Sequence, residues 1–295
     1  MLLDNSGEPK AGIPFGRVAD FKGERIVTLP FSDYCDPLVG EIDHWQRLTE
    51  PLLEGHSSFT IRCVHNSLPL GDERFTLVGQ AHWHGMDLRP DLDALWNGLH
   101  SSARRAIRKA KKQGVVVHKA RDVETLRAFF ELHLGVRKYK YRLLAQPYCF
   151  FENIWRQFIE EQRGSLMIAA YEGEIIGGVM FLEWKDGLYY KFNASAPASL
   201  SLRPNDLLIW EGIQYGKAKG CTYLDFGLSD WDQEGLLRYK RKFATVEKTI
   251  SFLRYSPNGA SARQAQQGAD FLPQLTQLFT DEAVPDQVTE KAGEV

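Results

Sequence analysis

The sequence predicts an α+β fold in which a mixed, mostly antiparallel sheet is flanked by helices. Two observations support this prediction. Three apolar segments joined by tight turns are typical of an antiparallel meander, and a helix then leads from the third segment to a fourth strand. The connection through that helix is long enough to bring the fourth strand parallel to the third. The meander strands are Leu166–Tyr171, Glu174–Trp184 and Leu188–Ser195, the helix is Leu207–Lys219, and the fourth strand is Thr222–Gly227.

The turn residues and the helix ends support these bounds. Glu172 and Gly173 form the first turn, and residues 185–187 form the second. Pro204 suits the start of a helix, and Asn205 or Asp206 is expected to cap the free amides there. Gly220 is expected to end the helix.

Strands and helices are also predicted on either side of the meander. Residues 1–12 lack periodicity, and we expect them to be irregular. Upstream strands are predicted at Arg17–Phe21, Arg25–Leu29, Phe59–Val64, Arg74–Ala81 and Val115–His118. Upstream helices are predicted at Glu41–Glu54, Leu92–Gly114 with a break near Asn97-Gly98, Asp122–Lys138 and Phe150–Gln162. Downstream, we predict a strand at Thr249–Arg254 and short surface helices at Leu272–Phe279 and Val284–Ala292.

The composition is typical of a soluble globular protein. The chain has 295 residues, of which 43% are hydrophobic and 25% charged, so it can bury a sizeable core. Apolar runs long enough to span a membrane and the pattern of a secretory signal are both missing from the sequence, so we expect a cytoplasmic protein without an integral membrane segment. The four cysteines are scattered without a CxxC pair, and we expect reduced thiols and no metal site.

The charge is balanced overall but unevenly distributed. The formal net charge of -2 does not indicate a nucleic-acid-binding protein. Basic residues are concentrated at Arg104–Lys112, Arg137–Arg142 and Arg238–Lys242, whereas residues 261–295 carry six acidic residues against two basic ones. Three basic clusters in a balanced chain indicate an anionic ligand or partner.

Two of the basic clusters lie on predicted helices, and each leaves an alternative open. The six cations between Arg104 and Lys112 have no acidic residue among them, so they repel one another unless an anion is bound. The alternative to an anion-binding role is a solvent-exposed helix face. Arg137 lies in line with the apolar stripe of its helix, where an unpaired guanidinium would be costly to bury. The alternative is an arginine in the last helical turn whose stem reaches solvent.

Three stretches of the chain resemble the Fem family of aminoacyl- and acyltransferases, which are GNAT-fold enzymes of envelope synthesis. Residues Ala103–Ala110 with Gly114-Val115 look like the family signature R-x-x-I-R-K-A-x-K-x-G-V. Tyr239–Phe243, which follows Tyr223–Gly227, looks like the family motif aromatic-K-x-x-F. Residues 15–39 are loosely similar to the first domain of the family.

The resemblance implies a GNAT-like, Fem-type domain at 98–257, a partial GNAT-like N-terminal domain at 1–97, and a polar C-terminal tail with short helices at 258–295. It implies transfer of an acyl or aminoacyl group onto an amine of a phosphate-bearing cell-envelope acceptor. That acceptor would resemble a peptidoglycan precursor carried on a nucleotide or a lipid pyrophosphate. The donor would be aminoacyl-tRNA or acyl-CoA, no cofactor would be tightly bound, and the enzyme would act in the cytoplasm or at the inner face of the membrane.

The resemblance also assigns roles to residues. Lys240 would be catalytic, because a fixed ammonium beside the reacting carbonyl stabilises the oxyanion as it forms; a surface lysine is the alternative. Arg137 would bind phosphate of the acceptor through its guanidinium fork. The other expected substrate-binding residues are Arg108, Lys109, Asp225 and Tyr239.

The chain departs from the pattern of the families it resembles in two places. Ordinary GNAT enzymes hold the pyrophosphate of coenzyme A on the backbone amides of a glycine-rich loop, and here that loop, residues 201–206, contains no glycine. The helical hairpin by which some Fem enzymes engage tRNA is not evident between Gly114 and Ser165. The alternatives are therefore an acyl-CoA-dependent N-acyltransferase that modifies an amino sugar of a surface polysaccharide, or a non-catalytic module that binds an anionic partner. No general base stands out, and His133 is the best candidate among the histidines.

Overall fold

The computed structural model describes residues 1–20, 23–30, 32–55, 57–257 and 272–294. The packing of the backbone divides the chain into two compact units. Unit 1 comprises Met1–Trp83, Leu228–Leu237 and Glu247–Leu272, and unit 2 comprises His84–Gly227, Arg238–Val246 and Pro273–Val295. Because both units draw on separated stretches of the chain, the boundaries expected at 97 and 257 stay a prediction. Residues 258–271 of the expected polar tail lie outside the described residues.

Unit 1 contains a small sheet backed by one helix. The strands are β3 (Gly16–Asp20), β4 (Gly23–Val27), β5 (Ser58–Cys63), β6 (Thr76–Asp87) and β12 (Val246–Tyr255), and the helix is α1 (Ile42–Leu53). The strands lie in the order β3-β4-β5-β12-β6. Strand β3 pairs antiparallel with β4, β4 pairs parallel with β5, and β5 pairs antiparallel with β12. Trp45 of α1 is fully buried against Phe59 and Phe75, which forms the centre of this core.

The expectation that residues 1–12 are irregular is wrong. Two short strands, β1 (Leu2–Leu3) and β2 (Pro9–Ala11), pair antiparallel there. Asp4 makes this tight turn possible because its carboxylate accepts hydrogen bonds from the amides of Ser6 and Glu8. An alternation of apolar and polar side chains cannot be recognised in strands of only two and three residues.

The meander and the parallel fourth strand are confirmed in unit 2. The strands are β7 (Val116–Lys119), β8 (Gly164–Tyr171), β9 (Glu174–Trp184), β10 (Gly187–Ser195) and β11 (Tyr223–Ser229). They lie in the order β11-β10-β9-β8-β7, and all neighbours pair antiparallel except β10 and β11, which run parallel. The crossover helix between β10 and β11 is α6, Pro204–Ala218.

The other helices of unit 2 pack against both faces of its strands. They are α2 (Leu92–Gly98), α3 (Ser101–Lys112), α4 (Val123–Gly135) and α5 (Tyr148–Ile154), so the predicted break near Asn97-Gly98 is confirmed. Both α4 and α5 continue as π-helical turns, at Val136–Tyr141 and Trp155–Ile159. A short helix, α7 (Glu234–Lys240), precedes β12, and the tail forms α8 over 272–279 and α9 (Asp286–Ala292), close to the two predicted tail helices.

In the part of the chain that the structure describes, no helix is both long and apolar enough to cross a membrane.

Candidate active site

The two parallel strands of unit 2 separate partway along their length. Strands β10 and β11 pair over only three residues each, Gly187–Tyr189 with Tyr223–Asp225. Beyond these pairs β10 continues to Ser195, and β11 continues past Gly227. A gap between parallel strands exposes backbone groups that would otherwise be paired, and such crevices beyond the carboxyl ends of strands are common ligand sites.

Lys240 and Asp225 come together at the β11 side of this gap. The side chain of Lys240, the last residue of α7, is buried with 4% exposure, and its Nζ donates to the carbonyl oxygen of Gly227 at 3.2 Å. The buried carboxylate of Asp225 accepts a hydrogen bond from the Gly227 amide at 2.6 Å. The alternative of a surface lysine is therefore wrong, because the ammonium is held next to the strand end.

A row of aromatic rings lies next to the gap. Tyr190 of β10 contacts Phe226 of β11 with 5.9 Å between ring centroids, Phe226 contacts Phe243 at 6.4 Å, and Phe243 contacts Tyr239 at 5.7 Å. The hydroxyl of Tyr239 is buried and has no hydrogen-bond partner among the described residues. Burial raises the pKa of Tyr239 far above its ordinary value, so this hydroxyl is a neutral donor.

The β10 side of the gap carries the start of α6. Asn205 fixes it there, because its side-chain oxygen accepts hydrogen bonds from Asn193 Nδ2 at 3.1 Å and Ser195 Oγ at 2.6 Å. The expectation that Asn205 or Asp206 caps the helix is wrong: the cap position is Arg203, in the left-handed region with φ 65°, and no side chain bonds to the free amides.

Asp206 is instead buried inside the first turn of α6. Its side chain is next to Lys242, with 3.5 Å between Oδ1 and Nζ, and the ammonium of Lys242 also lies 5.0 Å from the centre of the Tyr239 ring. Burial raises the pKa of Asp206, while the positive charges of Lys242 and Arg203 oppose that rise. Sequence reasoning missed Asp206 and Lys242 as partners, and their only signal was an aspartate two residues after Pro204.

The basic helix α3 packs on α6 through its small apolar face. Ala103, Ile107 and Ala110 are buried, and the predicted lack of an acidic partner is corrected by α6, whose Glu211 pairs with Lys111 at 3.2 Å. The guanidinium of Arg108 lies 5.3 Å from the centre of the Trp96 ring, and Trp96 packs edge-on against Trp210 of α6. Lys109 is exposed and forms no ion pair with another described residue.

Arg137 lies in the π-helical turn after α4, and the helix predicted to reach Lys138 ends at Gly135. Its Nε and Nη2 donate to the carbonyl oxygen of Leu144 at 3.1 and 2.9 Å, and burial lowers the pKa of the guanidinium. Within the described ranges, no carboxylate lies at ion-pair distance from Arg137. Such a partly desolvated cation is a suitable binding group for an anion.

The cations around Arg137 are paired with the C-terminal segment. Arg127 forms a two-point ion pair with Glu290 at 2.7 and 2.8 Å, Lys138 contacts Asp286 at 2.7 Å, and Arg142 contacts Glu282 at 2.5 Å. Thus two of the four cations of the second basic cluster, Lys138 and Arg142, are paired, whereas Arg137 has no ion-pair partner among the described residues.

The predicted site residues lie on separate elements of unit 2. Lys240 and Asp225 both bond to Gly227, and Tyr239 lies near Lys242, which pairs with Asp206. Arg137 lies in the π-helical turn after α4, and Arg108 and Lys109 lie on α3.

His133 is enclosed by aromatic rings and is not suited to be a base. It packs against Phe129, Phe151 and Phe192, and its Nε2 lies 3.2 Å from Oε1 of Gln146. Burial lowers its pKa from 6.5 to about 4, and the charge of Arg137 acts in the same direction. The imidazole is therefore neutral at pH 7 and surrounded by the core.

The described part of the chain contains no group of three or more His, Cys, Asp or Glu side chains that could hold a metal ion. Two surface cavities, one lined by residues 118–122 with Thr125 and the other lying near Arg25 and Arg62, contain none of the predicted site residues.

Comparison with known proteins identifies the class of the domain. Residues 99–241, just under half of the chain, match the family model described as an acetyltransferase (GNAT) domain. A search of curated proteins gave no significant match. This match indicates a GNAT domain within the chain and supports an acyltransferase, as the order of the elements and the motifs predicted.

Solved structures place the fold more narrowly. The crystal structure of FemX matches with a TM-score of 0.66 and 16% identity, covering 92% of this chain and 89% of FemX. The C-terminal domain of a lysylphosphatidylglycerol synthetase from Agrobacterium fabrum matches with a TM-score of 0.59, at 13% identity over 92% of this chain and 88% of that one. L-PGS from Bacillus licheniformis matches with a TM-score of 0.56, at 15% identity over 95% and 89%. The fold is therefore Fem-like, as the motifs predicted.

Proposed function

We propose that this protein transfers an aminoacyl group onto an amine of a phosphate-bearing cell-envelope acceptor. The observation that carries the proposal is the buried ammonium of Lys240, held 3.2 Å from the Gly227 carbonyl where β10 and β11 part. A cation fixed in a site of low dielectric needs no reorganisation when negative charge develops on a carbonyl oxygen. Lys240 is then the group that stabilises the oxyanion of the tetrahedral intermediate.

Arg137 supports a phosphate-bearing acceptor. Its neighbours Arg127, Lys138 and Arg142 already have carboxylate partners, whereas its own guanidinium is oriented by the Leu144 carbonyl. An arginine held in this way presents its remaining N–H groups in a fixed direction, which suits the oxygens of a phosphate. Arg108 and Lys109 on α3 are a second, outer contact for the same anionic acceptor.

The start of α6 supports an aminoacyl ester rather than acyl-CoA as the donor. In ordinary GNAT enzymes the pyrophosphate of coenzyme A lies on free amides before this helix. Here Pro204 has no amide hydrogen, and the buried carboxylate of Asp206 would repel a pyrophosphate at the same place. One of the similar structures is described as a domain of a putative lysylphosphatidylglycerol synthetase, a name that joins an aminoacyl group to a phosphate-bearing lipid.

The test is a transfer assay with two donors and one acceptor. Purified protein is incubated with a UDP-linked muropeptide and either tRNA charged with labelled amino acids or labelled acetyl-CoA. We expect transfer from the tRNA only, and we expect Lys240→Ala to lower kcat by about 100- to 1000-fold, the usual effect of losing one oxyanion donor. The control Arg238→Ala removes an exposed cation from the same helix and should leave kcat unchanged.

Two results would contradict the proposal. Full activity of Lys240→Ala would remove its catalytic role. Transfer from acetyl-CoA with none from tRNA would favour the alternative of an acyl-CoA-dependent N-acyltransferase.

A further inference from the structure

The proposed reaction requires a proton acceptor that sequence reasoning did not find. An aliphatic amine is mostly protonated at neutral pH, and its nitrogen can attack a carbonyl carbon only after losing a proton. His133 is enclosed by Phe129 and Phe151 and is unavailable for this task. Asp206 is a buried acidic group of the site whose Oδ1 has no hydrogen-bond partner among the described residues.

Asp206 is close in the fold to the segment that carries Lys240, because Lys242, two residues after Lys240, lies with its Nζ 3.5 Å from Asp206 Oδ1. Asn205, the neighbour of Asp206, is bonded to Asn193 and Ser195 of β10. Lys240 is bonded to Gly227, which follows the last pair of β11. A substrate carbonyl next to Lys240 would therefore lie near the segment whose Lys242 contacts Asp206.

The Asp206 carboxylate is not saturated by its surroundings. Its side chain is 4% exposed, yet Oδ1 has no hydrogen-bond partner among the described residues, since Lys242 Nζ lies at 3.5 Å without hydrogen-bond geometry. The hydroxyl of Tyr239, whose ring also lies near Lys242, is likewise buried and has no hydrogen-bond partner among the described residues. Two buried polar groups left open around one lysine are costly in a folded protein, and they are explained if a substrate completes them.

The charges around Asp206 favour the ionised form of its carboxyl group. The groups that act on its titration are Lys242 after α7, Arg203 before α6 and its own backbone amide, and all three favour the carboxylate. Burial opposes them and raises the pKa of Asp206, which makes the carboxylate a stronger proton acceptor than one in water. The start of α6 adds a favourable dipole.

We propose that Asp206 is the proton acceptor of the transfer reaction, with Tyr239 and Lys242 positioning the incoming amine and the carboxylate. This inference rests on the proposed function. The acceptor ammonium gives one proton to Asp206, and its nitrogen lone pair then forms the C–N bond to the donor carbonyl carbon. The tetrahedral intermediate collapses by breaking the C–O bond of the donor ester. The second proton on nitrogen passes to the leaving ribose oxygen, and the proton on Asp206 is released to solvent.

The experiment compares two acceptors that differ only in the need for a base. One is a UDP-linked muropeptide ending in a primary amine, and the other is the same compound ending in a hydrazide, which is uncharged at neutral pH. With tRNA charged with labelled amino acids as the donor, we expect Asp206→Asn to slow transfer to the amine by about 100-fold or more and transfer to the hydrazide by less than about threefold. The control Asp232→Asn, at an exposed loop position, should change neither rate.

A measurement on the unmodified enzyme covers the case in which Asp206→Asn fails to fold. In a pH–rate profile, the rate of transfer to the amine should fall at acid pH as Asp206 becomes protonated, whereas the rate of transfer to the hydrazide should not. The same fall in rate at acid pH with both acceptors would overturn the inference.

The remaining outcomes separate the inference from the proposed function. If the unmodified enzyme is active, and Asp206→Asn either keeps full activity or slows transfer to both acceptors equally, Asp206 is not the proton acceptor. The proposed function stands in that case. If the unmodified enzyme transfers to neither acceptor from either donor, the proposed function fails and the inference fails with it.

Discussion

Replacing His133 by phenylalanine tests how strongly one buried imidazole limits the stability of the protein in acid. The ring is buried in an aromatic cluster, where burial lowers its pKa from 6.5 to about 4. A lowered pKa means that the unfolded chain binds the proton more tightly than the folded one does. The stabilising effect of the neutral ring is therefore complete above pH 6.5 and is lost as the pH falls toward 4.

The magnitude follows from the size of the pKa change. Each pKa unit corresponds to 1.36 kcal/mol, so the change from 6.5 to about 4 reduces the free energy of unfolding by about 3 kcal/mol between pH 7 and pH 4. His133→Phe should remove this part of the pH dependence, because phenylalanine does not titrate and its ring can pack against Phe151 and Phe192.

The assay is urea unfolding of the unmodified protein and of His133→Phe at several pH values from 4 to 7.5. The exposed histidine variant His118→Phe is the control and should keep the acid loss of the unmodified protein. We expect His133→Phe to remain active in the transfer assay, because the ring has no place in the proposed chemistry. Equal acid sensitivity of the two variants, or loss of activity in His133→Phe alone, would refute this reasoning.

Two further predictions concern Arg137 and the pairing of the C-terminal segment. Arg137→Ala should raise KM for the muropeptide acceptor by about tenfold or more with a smaller effect on kcat, since one charge-assisted contact contributes about 1.5–3 kcal/mol. Arg142→Ala, which loses a cation that is already paired, should leave KM nearly unchanged, and equal effects of the two variants would contradict the assignment. A double-mutant cycle of Arg127→Ala and Glu290→Ala, measured by urea unfolding, should give a coupling free energy of about 1 kcal/mol, because the pair is bidentate but partly exposed. Additive effects of the two substitutions would show that the ion pair does not contribute to stability.

The fold was predictable where local patterns are strong. Three strands joined by tight turns, followed by an apolar helix and a parallel strand, leave few possible topologies, and the structure has this arrangement at 164–229. The helix break near Asn97-Gly98 was visible for the same reason, because glycine and asparagine end helices locally. The π-helical turn at Val136–Tyr141 was not visible, since nothing in its sequence distinguishes it from a regular helix end.

Residues of the site could be predicted only where they belong to a recognisable sequence motif. Tyr239 and Lys240 were found through the aromatic-K-x-x-F motif, although their burial in and around a short helix was not expected. Asp206 was overlooked because its environment depends on Lys242, which lies far along the chain. Side chains brought together by tertiary packing leave no signal in a single sequence.

The C-terminal segment has a consequence for selectivity. By occupying Arg127, Lys138 and Arg142, its carboxylates lower the general attraction of this surface for polyanions, which would otherwise compete at every cation. What remains at Arg137 is a single directional contact, oriented by a backbone carbonyl. On the proposed function, such a contact would select the acceptor by the position of one phosphate group rather than by total charge.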